Sequence, residues 1–359
     1  MRLISNNREI PVAGEVWILL DSRVFGGIES HVLELAKGLQ AFHVHVRVVL
    51  VVEYNPPASL VSRLADSDVP VSYLHQLCPK NNDTHSVIAV KRLTIAVAEH
   101  QPSVIHTHGY KASLLARSAE LFTRTFPRLI STYHAGETPT GKVWFYDWLD
   151  RYSGRLSDHC FAVSQSIQNK LPIKTELLNN FVSLPAQNSS YKEIAFVGRL
   201  SHEKGADRFI DIAKHFPDRQ FSIYGDGPEG KDLAQHAPGN VVFHGHQHNM
   251  NAVWNNIGVL IISSRYEGLP MAALEAMSRG IVVFSLNVGR LSDLIEDGSN
   301  GFIAPDILNL IDKLNHWITM STYTQSLIRK KAIKTISEQY SSQSIIPILI
   351  ERYQIENQT

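Results

Sequence analysis

Cysteine is nearly absent from this 359-residue chain. Cys78 and Cys160 stand far apart with no Cys-x-x-Cys spacing, so they offer neither a disulfide framework nor a zinc ribbon. A reducing cytosol suits such a chain. Excess charge is absent as well: Lys+Arg and Asp+Glu are both 34, which argues against the basic face or stripe of a nucleic-acid protein. A local basic patch for an acidic substrate or a membrane surface stays open. Long apolar runs are missing too, since stretches such as 48–52 and 345–350 fall far short of the ~20 residues that span a bilayer. Residues 1–14 are polar and broken by Pro11, unlike a secretory leader. We expect a soluble, cytoplasmic chain whose membrane contact would be peripheral, on the cytoplasmic membrane. No Gly-x-Gly-x-x-Gly follows the first strand-like run, which disfavours a dinucleotide-dependent oxidoreductase.

What is present is length and alternation. A chain of 359 residues suits two α/β domains of roughly 150 to 200 residues each. Short β-branched runs at 16–20, 44–52, 104–106, 128–132 and 159–163 alternate with amphipathic stretches at 29–40 and 87–100. A second series follows at 194–197, 209–215, 220–223, 241–244, 258–262 and 281–285. This alternation predicts parallel βαβ units with helices on both faces. The polar stretch 181–191 reads as an interdomain linker, and 308–358 as helical throughout. The expected domains are 1–185 and 186–335, followed by a helix over 336–359.

Ligands of doubly wound sheets bind at the carboxyl ends of the strands, and the motifs of this chain fall there. Residues 264–280 place Glu267 and Glu275 eight residues apart across the start of a helix, with Pro270 as its first position and Gly280 at its close. Unpaired N–H groups and the dipole at that helix start favour a phosphate. A carboxylate on either side suits the hydroxyls of a sugar nucleotide. Val197-Gly-Arg-Leu-Ser-His-Glu-Lys-Gly205 adds Arg199 and Lys204, a planar fork and a point charge fit for a diphosphate. Phe25-Gly-Gly-Ile-Glu29 follows the first strand; Gly26 and Gly27 let backbone approach an anion, or simply form a tight turn.

Of the 17 histidines, His106-x-His108 and His244-Gly-His246-Gln-His248 have spacings that could hold a metal, but no carboxylate or cysteine cluster accompanies them. We therefore expect no metal site. His134, at the end of a strand inside Ser131-Thr-Tyr-His-Ala-Gly136, could hydrogen-bond a transferred group or relay a proton. Residues 141–156 gather Trp144, Phe145, Tyr146, Trp148 and Tyr152 beside Lys142, Arg151 and Arg155. We read them first as an aromatic-rich core helix, and second as an acceptor-side or membrane-facing surface.

Taken in order, these motifs resemble those of the retaining glycosyltransferases of family 4, the group 1 glycosyl transferases, from Glu15 to about Pro305. The specific parts are Glu267-Gly-Leu-Pro-Met-Ala-Ala-Leu-Glu275 and Val197 to Gly205; Tyr224-Gly-Asp-Gly-Pro228, Val163-Ser164 and Asp297-Gly-Ser-Asn-Gly-Phe302 accompany them. Where many members have Gly-Gly-x-x-Glu before a late helix, this chain has Val288-Gly289-Arg290-Leu-Ser-Asp293. The resemblance implies an α/β chain of GT-B fold: two Rossmann-like doubly wound domains facing a central cleft, the C-terminal helices packing back on the N-terminal domain. It implies that the N-terminal domain binds an acceptor and the C-terminal domain a nucleotide sugar.

By the resemblance, Arg199 and Lys204 contact the diphosphate, Glu267 the donor sugar and Glu275 the ribose. Backbone at Gly268, Leu269, Pro270, Met271 and Gly27 helps hold the phosphates. Tyr224, Gly225, Gly245 and His246 border the base, and His134 lies near the transferred sugar. With no residue placed as a covalent nucleophile, the expected reaction is a same-face displacement that retains anomeric configuration. Arg199, Lys204 and the helix start would stabilise the leaving diphosphate without a metal. We expect a UDP-sugar donor, no cofactor, and a saccharide or lipid-linked saccharide acceptor in lipopolysaccharide or other surface-polysaccharide synthesis. The rivals are a catalytically inactive nucleotide-sugar-binding subunit and a sugar phosphorylase or epimerase of the same fold.

Overall fold

The computed structural model describes residues 10–23, 25–78, 89–134, 142–185, 192–247 and 249–355. Two units divide the chain, Met1–Asn180 with Ile345–Thr359, and Phe181–Ser344. Among the described residues no helix is long and apolar enough to cross a membrane.

In the first unit, β1 (Val16–Leu20), β2 (Val46–Leu50), β3 (Val71–Tyr73), β4 (Val104–His108), β5 (Arg128–Tyr133), β6 (His159–Ala162) and β7 (Glu176–Leu177) form one sheet. All pairings are parallel, in the order β3-β2-β1-β4-β5-β6-β7. Every residue of β1, β2 and β4 is buried, as a parallel sheet covered on both faces requires. The strand order turns back at β1, whose neighbours are β2 and β4, so the crevice at their carboxyl ends is the switch point of this sheet. The helix Gly27–Ala41 leaves β1 there, burying Val32, Leu35, Ala36 and Leu39 at helical spacing.

The last helix, Ser342–Tyr353, enters the first unit from Ile345 onward. Tyr353 meets His106 Nδ1 through its hydroxyl at 2.6 Å, and Arg352 Nε donates to Glu176 Oε2 at 2.8 Å. The backbone oxygen of Arg352 accepts from Arg128 Nε at 2.8 Å.

In the second unit, β8 (Glu193–Val197), β9 (Phe221–Tyr224), β10 (Val241–Gly245), β11 (Ile257–Ile262), β12 (Val282–Leu286) and β13 (Phe302–Ala304) pair in parallel in the order β10-β9-β8-β11-β12-β13. One apolar cluster includes Phe209, Phe221, Phe284 and Trp317; another includes Trp254, Leu274, Met277 and Ile336.

Three expectations change. The strands β3, β7 and β13 were not foreseen, because each is at most three residues long and lies at a sheet edge. The C-terminal stretch is helical as expected, in three helices, Ile307–Thr319, Thr322–Gln339 and Ser342–Tyr353. Ser321 caps the second by accepting from Thr324 N–H at 3.1 Å, a side-chain competition that ends one helix and starts another. The start of the expected linker is core: Phe181 and Val182 are buried, and Val182 N–H donates to Tyr340 O at 3.0 Å. The units accordingly divide after Asn180 and Ser344, where the sequence suggested 185 and 335. Residues 186–191 lie outside the described residues.

Candidate functional site

Two loops of the second unit, foreseen separately, are stitched together at the ends of β8 and β11. Gly205 adopts φ +66°, and a Cβ on it would stand 2.3 Å from Ser263 O, so only glycine lets the chain pass. Ser263 Oγ donates to Gly205 O at 2.7 Å. Arg265 grips the first loop, donating to His202 O at 2.8 Å and to both carboxylate oxygens of Asp207 at 2.8 and 2.6 Å. That fork holds Asp207 below the usual carboxylate range.

Within this frame Lys204 Nζ meets Glu267 Oε1 at 2.7 Å, and Ser264 Oγ donates to the same oxygen at 2.8 Å. The Lys204 side chain is 33% exposed and that of Glu267 8%, so the carboxylate is walled in while the ammonium faces outward. Glu267 and Lys204, assigned to sugar and diphosphate, therefore form one ion pair. Arg199 is exposed in the same loop, and its charge helps lower the Glu203 carboxyl behind the larger effect of the Ser201 hydroxyl.

The helix after this loop is Met271–Ser278, with Pro270 at its N-cap and not at its first helical position. Glu275 stands on the second turn, where its Oε2 accepts from Trp254 Nε1 at 2.8 Å. Gly280, φ +73°, follows the helix end. Leu269 and Met271 are buried and anchor the turn, while Gly268 O accepts from Arg290 N–H at 2.9 Å. A Cβ on Gly289 would lie 2.3 Å from Glu267 O, so the single glycine of the divergent loop already permits close packing on the glutamate.

Gly225 carries φ +144°, and a Cβ there would fall 1.8 Å from Gly198 O. With Gly245, Asp226, Gly227, Lys231 and Phe243 it lines a cavity of about 510 Å³. Gly225→Ala should cost the second unit at least about 2 kcal/mol in urea unfolding, because strain and a backbone clash coincide. A loss below about 0.5 kcal/mol would show that the two loops do not approach this closely. Tyr224 is held firmly by its neighbours. Its ring is buried and stacks on His244 at 4.4 Å, its hydroxyl donates to Glu193 Oε2 at 2.6 Å, and burial pushes the phenol up to about 12. Its neighbour Gly225 lines the cavity. His246 is exposed and outside that lining, and His248 lies outside the described residues.

In the first unit Gly26 is the N-cap of the helix Gly27–Ala41, and its N–H donates to Glu29 Oε2 at 2.9 Å, so Glu29 is a capping acid. His134, at the end of β5, shares a 2.9 Å hydrogen bond between its Nε2 and His108 Nδ1. His31, which no motif marked, stands 4.8 Å from His134 and 5.5 Å from His108 between ring centroids. Burial lowers all three, His31 to about 4, and keeps them neutral. His106, by contrast, is taken up by Tyr353 and by Thr132 Oγ1 at 2.7 Å.

The core reading of the aromatic segment is overturned. On the helix Lys142–Ser153, Trp144, Phe145, Tyr146, Trp148 and Tyr152 are between 41% and 52% exposed. The side facing inward is held by one ion pair, Arg117 Nη1 to Asp150 Oδ1 at 2.7 Å. Trp144, Trp148 and Tyr152 line a cavity of about 360 Å³ with Arg151 and Lys170. Gly136 and Gly141 lie outside the described residues.

Two parallel Rossmann-like sheets, one in each unit, are the architecture of the GT-B class of glycosyltransferase folds. Anabaena HepE in complex with UDP and glucose superposes with a TM-score of 0.77 at 19% identity, over 96% of this chain and 100% of that one. The family model for Glycosyltransferase Family 4 matches residues 25–172, and that for Glycosyl transferases group 1 matches 191–320. The chain belongs to glycosyltransferase family 4. It is 27% identical over 232 residues to an uncharacterized 41.2 kDa protein in the cps region of Klebsiella pneumoniae, covering 56% of this chain and 64% of that protein. It is 25% identical over 289 residues to the UDP-Gal:alpha-D-GlcNAc-diphosphoundecaprenol alpha-1,3-galactosyltransferase of Escherichia coli, covering 69% and 73%.

Proposed function

We propose that the chain transfers a sugar from a UDP-sugar to a saccharide or lipid-linked saccharide, with retention, in lipopolysaccharide or other surface-polysaccharide synthesis. The observation that carries this is the Lys204–Glu267 pair, walled in on the carboxylate side and open on the ammonium side. An arriving diphosphate gives Lys204 a second anion and releases part of its hold on Glu267, whose carboxylate then accepts a sugar hydroxyl. Both contacts described for that carboxylate fall on Oε1, so Oε2 is the oxygen assigned to the sugar. Glu275, steadied by Trp254, is assigned to the ribose, and the cavity beside Gly225 and Gly245 to the base.

As the glycosidic bond to phosphate breaks, negative charge grows on the diphosphate. Arg199, Lys204 and the start of the helix Met271–Ser278 stabilise it without a metal at the diphosphate. The leaving phosphate oxygen takes the acceptor hydroxyl's proton while the acceptor oxygen bonds to the anomeric carbon on the same face. From the first unit, the neutral His134 is assigned a hydrogen bond to the sugar in transit, and Gly26-Gly27 backbone a phosphate contact. The exposed aromatic helix, with Arg155 and Lys170 nearby, supports a peripheral contact with the cytoplasmic membrane. The galactosyltransferase relative, which acts on a diphosphoundecaprenol-linked sugar, supports the lipid-linked acceptor.

A thermal-shift screen of nucleotides and nucleotide sugars, followed by transfer assays on anionic vesicles carrying undecaprenyl-diphosphate saccharides, tests the reading. One UDP-sugar at about 1,000 times its Kd should add about 4 kcal/mol to stability. The product's anomeric coupling should match the donor's. Stabilisation by no uridine nucleotide, or an inverted product, overturns it.

A further inference from the structure

We propose that His31, His108 and His134 form a binding site for a divalent transition-metal ion of the zinc type in the first unit. One ligand nitrogen from each ring can be chosen so that all three lie within 4.8 Å of one another. Tetrahedral coordination at about 2.0–2.1 Å requires nitrogens about 3.4 Å apart, so a pair at the 4.8 Å limit needs to close by roughly 1.4 Å. His108 Nδ1 and His134 Nε2, at 2.9 Å, already stand at that scale. The three residues come from three elements: His31 from the helix after β1, His108 from the end of β4 and His134 from the end of β5. They meet at the switch point of the sheet, the place where such sheets take ligands.

His31 and His108 are at most 2% exposed, while His134 is the partly accessible member, so an ion would enter on its side. His106 supports the site without joining it. It packs on His108 at 4.3 Å while Tyr353 and Thr132 hold its own nitrogens. Three histidines leave a fourth position for an oxygen ligand, such as water or a phosphate.

In the loaded form the His134 lone pair is committed to the ion, so loading would withdraw His134 from the hydrogen bond to the sugar. That consequence rests on the role proposed for His134; the site itself does not. The test is a titration of tag-free, metal-stripped protein with Co2+, read by its visible absorption and by bound metal after gel filtration. The expected result is about one ion per chain with the intense bands of a four-coordinate cobalt site. His134→Gln and His31→Gln should weaken binding by more than the roughly 10- to 100-fold that loss of a supporting partner costs. His236→Gln, on the exposed surface of the second unit, should leave it unchanged. Failure of the folded wild-type protein to bind Co2+ or Zn2+ stoichiometrically overturns the site, whatever the variants do. Normal binding without any transfer activity would instead count against the proposed function alone.

Discussion

Lys204→Ala should lower the rate of sugar transfer by about two to three orders of magnitude at saturating donor, the usual consequence of deleting one charge-stabilising donor. The effect should fall mainly on kcat, since the ammonium is asked to hold charge that grows as the phosphate leaves. Stability should change little. The lysine is one-third exposed, and an ion pair so placed is worth about 1 kcal/mol or less. Ser264 still donates to Glu267 in the variant, and Arg265 with Asp207 still closes the two loops. Initial rates compared with the melting temperature separate these effects. A variant within tenfold of the parent rate would remove Lys204 from the chemistry, and a collapse of the melting temperature would make it a structural residue.

The largest stability loss is expected from Arg117→Leu in the first unit. Arg117 is 2% exposed, and its guanidinium reaches Asp150 Oδ1 at 2.7 Å, Asp150 O at 2.8 Å, and the hydroxyls of Ser131, Ser153 and Tyr133 at 3.0 Å. Burial already raises the Asp150 carboxyl, with Arg117 opposing it. Without the arginine an uncompensated carboxylate and several hydroxyls remain in the core, and removal of one partner from a buried pair costs about 3–5 kcal/mol. Urea unfolding should show the loss in the transition of the first unit, with that of the second unit in place. The double variant Arg117→Leu, Asp150→Leu should recover much of it, since paired buried charges often exchange evenly for apolar side chains. A single-variant loss under about 1 kcal/mol would mean that water reaches Asp150.

How much of this was legible follows physical lines. Runs such as VWILL at β1 and IGVLII at β11 announce buried parallel strands because they are apolar at every position. VSY, EL and FIA carry no period and too few residues to do so. The two glutamates and the Arg199–Lys204 loop were visible as types at spacings, yet Lys204 and Glu267 are 63 residues apart, and no local pattern encodes their contact. Asp207 and Arg265, which clamp the loops, look in sequence like ordinary surface charges. His31 sits on the buried face of an unremarkable helix, so its meeting with His108 and His134 exists only in the fold. The aromatic helix misled for the opposite reason. Aromatic composition reports a wish to leave water, and Asp150 marked the side that does so, while the tryptophans stayed outside.

The return of the last helix has a consequence for the order in which this protein can be made. The core of the first unit contains Tyr353, whose hydroxyl reaches His106, so that unit has a buried position that stays unfilled until the segment 345–353 has left the ribosome. All of the second unit, Phe181–Ser344, is synthesised in between. At about 5–20 residues per second that interval lasts roughly ten to thirty seconds. During it the nascent first unit carries an open apolar seat beside His106, a natural landing place for a chaperone.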